Sequence, residues 1–139
     1  MTELLELYNL ADEHGIPVYW FDLNTAESLS CRLGDGNNAI AMNPWSMTTI
    51  ADEKVKLAHE LGHCETDSFY NRYSPFDIRA QHENRADRWA IKKLIPKDEL
   101  RAAVACGYTN VWELSEIFNV TENFMKKAIE YYEVHHENT

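Results

Sequence analysis

At 139 residues, with 45% apolar and 26% charged side chains, the chain is long enough for one domain with its own hydrophobic core. A formal net charge of −10 disfavours direct contact with nucleic-acid phosphates and favours a protein or peptide partner. Three cysteines (Cys31, Cys64 and Cys106), odd in number and without C-x-x-C spacing, argue against a disulfide framework or a cysteine-rich zinc site and for a reducing compartment. No apolar run is long enough to span a bilayer, and the acidic, amphipathic start Thr2–Tyr8 is unlike an export signal. The expectation is a cytoplasmic protein with no membrane partner.

In chain order, residues 3–14 repeat apolar side chains at a helical period, and Gly15 stops that helix. Ile16 to Leu23 is rich in β-branched and aromatic residues and reads as a strand, with Pro17 at its start or at a sheet edge. Ser28 to Leu33 and Ala39 to Met42 flank the turn-rich Gly34–Asn38 and predict a β-hairpin over 28–42. Asn43–Met47 is a loop, and Thr49 is placed to cap the helix that follows, with Asp52 as an imperfect capping-box partner. That helix is apolar on two sides (Leu57 and Leu61; Val55, Ala58 and Gly62), which places it at the centre of the domain. After an aromatic loop, a long helix runs from about Ile78 to Ile95 and ends at Pro96. Shorter helices follow over 97–106 and 110–118, and Thr121 caps a last one reaching about His135. No repeat, low-complexity tract or long linker divides the chain, so residues 1–139 read as a single domain.

The chemistry lies in the central helix. His59-Glu60-Leu61-Gly62-His63 is H-E-x-x-H. Positions i and i+4 share a helix face, so the two imidazoles can reach one metal ion. Glu60, rotated but adjacent, can take a proton from an attacking water. A catalytic zinc needs a third protein ligand. The extended metzincin pattern would place Gly and His where the chain has Thr66 and Phe69, which closes that route. The alternative is a carboxylate from a second helix. Glu83, Ala86, Asp87, Ala90 and Leu94 fall on one face of the helix after the loop. The alanines on that stripe allow a close approach to the His59 helix. Glu83 can then reach the metal, and Asp87 can accept a hydrogen bond from the distal N–H of a ligating histidine. Two histidines and a carboxylate suit zinc, and also manganese or iron.

These two motifs, His59-Glu60-Leu61-Gly62-His63 and the Glu83…Ala86-Asp87…Trp89-Ala90…Leu94…Pro96 pattern, resemble those of the ImmA/IrrE family of metallopeptidases. More narrowly, the chain resembles the small stand-alone members found with prophages and integrative elements. The resemblance implies an α+β, gluzincin-like fold, a small N-terminal mixed sheet packed on a helical core with the His59 helix at its centre. It implies one zinc ion held by His59, His63 and Glu83, with Glu60 as general base and Asp87 orienting a histidine. It also implies an anti-repressor that cleaves a helix-turn-helix repressor, without the sensor-linked domains of longer members.

For the second stabiliser of the oxyanion, the candidates are Tyr73, Tyr70 and His82, in that order, from their place near the loop between the motif helices. The strand Ala39–Met42 is a candidate for pairing with an extended substrate, with Trp45 and Phe69 lining side-chain pockets. Cys64 adjoins His63 but is turned from the metal by helix geometry, as a buried free thiol, and His135-His136 reads as a frayed helix end. Two other functions compete. One is a metal-binding anti-repressor that acts by docking without efficient proteolysis. The other is a DNA-binding regulator, since Glu113–Phe124 resembles a helix-turn-helix. From Val111 onward, however, there are six Glu, two Lys and no Arg, so such a hairpin has little to hold phosphates with. Oligomeric state is left open.

Overall fold

The computed structural model describes residues 2–70 and 73–134. These form six α-helices and one three-stranded sheet: α1 (Leu4–Glu13), β1 (Val18–Trp20), β2 (Ser28–Arg32), β3 (Asn38–Met42), α2 (Ile50–Glu65), α3 (Phe76–Leu94), α4 (Lys97–Ala105), α5 (Val111–Phe118) and α6 (Glu122–Val134). The architecture is α+β, as the family resemblance implies. The tail His135-His136 lies outside the described residues. Among those described, no helix is long and apolar enough to cross a membrane.

The sheet is mixed, in the order β1-β3-β2. β2 and β3 form the expected antiparallel hairpin, and β1 joins β3 in parallel. β3 is therefore the central strand, with both of its edges taken, and the expectation that it pairs with a substrate is corrected. Among the described residues, the open edge toward the cleft belongs to β2. β3 is buried because it is flanked on both sides, and Ile40 and Met42 point into the core.

α2 runs through the middle of the molecule. Thr49 Oγ1 accepts from the Asp52 N–H at 3.0 Å and fixes its start. Leu57, Ala58 and Leu61 are fully buried among side chains of α1, β3, α3, α5 and α6. One buried residue on this helix is charged. Lys54 is inaccessible, and its Nζ donates to the Phe118 carbonyl at 2.7 Å. That carbonyl is one of those left without an intrahelical partner at the C-terminus of α5, where a cation is favoured. Burial lowers the Lys54 pKa, against the pull of Glu3 and Glu6. The ammonium thus ties α2 to the α5–α6 hairpin. Asn119 takes the left-handed conformation (φ 52°) that ends α5, and Thr121 Oγ1 accepts from the Phe124 N–H to start α6.

α2 and α3 pack closely at one point. A Cβ built on Gly62 would meet the Ala86 carbonyl oxygen at 2.5 Å. Only glycine on α2 allows this approach, and it brings Glu83 and Asp87 to the histidines.

Candidate metal centre

His59 and His63 stand one turn apart on α2, and Glu83 faces them from α3. One ligand atom from each lies within 4.8 Å of the others. His59 Nε2 is 2.7 Å from Glu83 Oε2, and His63 Nε2 is 3.0 Å from Glu83 Oε1. The outer ring nitrogens are held too. His59 Nδ1 lies 2.8 Å from Asp87 Oδ1, and His63 Nδ1 lies 2.6 Å from the Ser68 carbonyl. A carbonyl oxygen only accepts, so His63 carries its proton on Nδ1 and turns Nε2 inward; the Asp87 carboxylate orients His59 in the same sense.

The Ser68 carbonyl gets there by the way α2 ends. Asp67 adopts a left-handed φ of 54°, which folds the chain back so that the Ser68 N–H donates to the His63 carbonyl at 3.0 Å. The Ser68 carbonyl then meets the His63 ring. Its hydroxyl lies 2.6 Å from that of Thr66, which also donates to the Gly62 carbonyl.

Electrostatics mark the centre as a place for positive charge. Burial opposes the protonated form of His59, yet Asp87 and Glu83 outweigh it and raise its pKa to about 10. His63 is raised as well: burial opposes, and Glu83 with the Ser68 carbonyl prevails. Glu83 is driven well below the usual carboxylate range despite its burial, by bonds from His59, His63 and Tyr70. Asp87 is lowered against its burial by His59 and Lys127. With their Nδ1 atoms engaged and Nε2 atoms converging on a carboxylate, these residues fit a divalent cation of the zinc type, which takes the place of the shared protons.

Glu60 is buried at 6% exposure, and the Ser28 hydroxyl donates to its Oε2 at 2.6 Å. Tyr70 donates its hydroxyl to Glu83 Oε1 at 2.7 Å, with its ring edge-on to His63 and stacked on His82. Burial and the Glu83 carboxylate push the Tyr70 pKa up to about 12. Tyr73 is 79% exposed and is not among the cleft-lining residues. His82 lines neither cavity at the centre. It stacks on Tyr70, and its Nδ1 is enclosed without a hydrogen-bond partner among the described residues. Trp45 is 81% exposed and lines no part of the cleft, whereas Phe69 does. Cys64 is a buried free thiol, its pKa pushed up to about 12 by burial.

Two cavities meet at the centre. One, of about 630 Å³, extends from Glu60, Glu83 and Asp87 past Lys56 to Thr121 and Lys127. The other, of about 160 Å³, lies between β2 and the loop bearing Phe69 and Tyr70. Ser28, Glu60, Tyr70 and Glu83 line both. Ser28, Ser68 and Gly62 carried no signal in the sequence as site residues. A serine in a strand and a loop carbonyl are ordinary until the chain is folded.

No curated protein sequence matches the chain. Among solved structures, a Mycobacterium tuberculosis transcriptional regulator superposes with a TM-score of 0.62 at 20% identity. The match covers 87% of this chain and 39% of that one, so the chain spans about two-fifths of the regulator's length. At that identity the likeness is one of fold. A profile of the IrrE N-terminal-like domain, a peptidase family, matches residues 11–130. That span holds the sheet, both motif helices and nearly all of the C-terminal hairpin, and the chain belongs to this family.

Proposed function

We propose that the chain is a zinc-dependent endopeptidase, one unit over 1–139 holding a single ion, that cleaves a helix-turn-helix repressor in the cytoplasm and so releases a mobile element or phage from repression. The observation that carries this reading is the convergence of His59, His63 and Glu83 beside a buried Glu60, at the junction of two cavities. His59, His63 and Glu83 would hold the metal, and Asp87 and the Ser68 carbonyl orient the two rings. The ion would supply the Lewis acidity that polarises the scissile carbonyl. Glu60 accepts a proton from the attacking water and returns it to the leaving amine. Tyr70 takes the oxyanion role in preference to Tyr73, because its hydroxyl already sits on Glu83 while Tyr73 is exposed. The substrate lies extended along the open edge of β2. The regulator named among similar structures supports a place in gene regulation.

The test is to load the full chain with zinc, mix it with a helix-turn-helix repressor encoded beside it, and look for fragments by mass spectrometry. Fragments should appear with the wild type and vanish with Glu60→Gln or a chelator. A repressor inactivated just as fast by Glu60→Gln, without fragments, would favour docking over hydrolysis.

A further inference from the structure

β2 carries more than an open edge. Asn43 donates its N–H to the Glu27 carbonyl, and Leu33 donates to the Asn37 carbonyl. In an antiparallel ladder hydrogen-bonded pairs alternate with open ones, so with Ser28 opposite Met42 and Ser30 opposite Ile40, these serines turn their main-chain N–H and C=O away from β3. Those groups face the open edge. Side chains alternate as well, and the Ser28 side chain lies on the face toward α2. There its hydroxyl donates to Glu60 Oε2 at 2.6 Å. A carboxylate held through one oxygen keeps the other for proton transfer, and it cannot rotate away from the reacting water.

We infer that Ser28 is a positioning residue that fixes the Glu60 carboxylate in the orientation for proton transfer, from the same strand whose main chain meets the substrate. The inference rests on the peptidase reading above. A serine that only satisfied a buried carboxylate would affect stability; a positioning serine affects turnover.

The experiment uses the full, zinc-loaded chain as wild type, Ser28→Ala and Ser28→Thr, each checked for equal zinc content and for folding by circular dichroism. The first readout is carbon NMR of protein labelled at the glutamate Cδ, with the Glu60 resonance assigned by its loss in Glu60→Gln. Ser28→Ala should move that resonance, and Ser28→Thr, which keeps the hydroxyl, should leave it near the wild-type position. The second readout is kinetics on a pool of quenched fluorogenic peptides. Ser28→Ala should lower kcat about tenfold or more at unchanged KM, as expected for a lost hydrogen bond to a charged group, and Ser28→Thr should restore most of it. An unmoved Glu60 resonance in Ser28→Ala overturns the inference, as does a raised KM with unchanged kcat. If the wild type yields no fragments of the repressor while the resonance responds to Ser28→Ala, the peptidase reading fails and the Ser28–Glu60 alignment stands.

Discussion

Each histidine of the centre has its own support, and the two supports differ in kind. Asp87 holds His59 through a side chain, with Lys127 3.5 Å beyond it. Asp87→Ala should therefore weaken zinc binding by about 10- to 100-fold in a chelator competition, the usual cost of losing such a partner. The raised histidines and lowered carboxylates also set a pH dependence. In the metal-free protein the His59 pKa stands near 10, above its ordinary 6.5. Its contribution to stability is full below pH 6.5 and is lost as the pH climbs toward 10. For Glu83 and Asp87, lowered from 4.5 and 3.8, the contribution is present above those values and lost as the pH falls further. Metal-free protein should thus melt highest between about pH 4.5 and 6.5. At neutral pH zinc must displace a proton from His59. Titration calorimetry in buffers of different ionisation enthalpy should show proton release, and zinc affinity should rise with pH up to about 10.

Among the elements, the pair α2–α3 decides whether the centre exists. Gly62→Ala puts a methyl group against the Ala86 carbonyl, and backbone cannot yield as a flexible side chain would. A loss of about 1–3 kcal/mol in denaturant unfolding is expected, together with weaker zinc binding as α3 is pushed off. This scale also shows what could be read from the chain alone. The helices and the hairpin were legible because periodicity and turn residues are local, and the ends differ by only a few residues. The histidines and the Glu83–Asp87 stripe were legible because spacing on a helix fixes their faces. Sheet order was not: local sequence says that Ala39–Met42 is a strand, but not that Val18–Trp20 returns to pair on its other side. The loop was not legible either. Tyr70 and Tyr73 differ only in how the chain turns between α2 and α3, and no local rule ranks one above the other.

Over the whole molecule, the net charge of −10 acts at a distance. The larger cavity carries Glu27, Asp52, Glu60, Glu83 and Asp87 against Lys56 and Lys127, so the cleft shares the sign of the surface. A basic substrate protein should be drawn in, and its kcat/KM should fall as salt rises from about 0.01 to 0.15 M, while a neutral peptide should show little change.

The buried Lys54 bears on the hairpin that resembles a DNA-reading module. Such modules can be cut out and grafted elsewhere because they carry their own foundations. Here the final carbonyl of α5 is answered by an ammonium from the middle of the molecule. Lifting the hairpin away would leave the ammonium and the Phe118 carbonyl each without the other, so the last two helices brace the helix that carries His59 and His63.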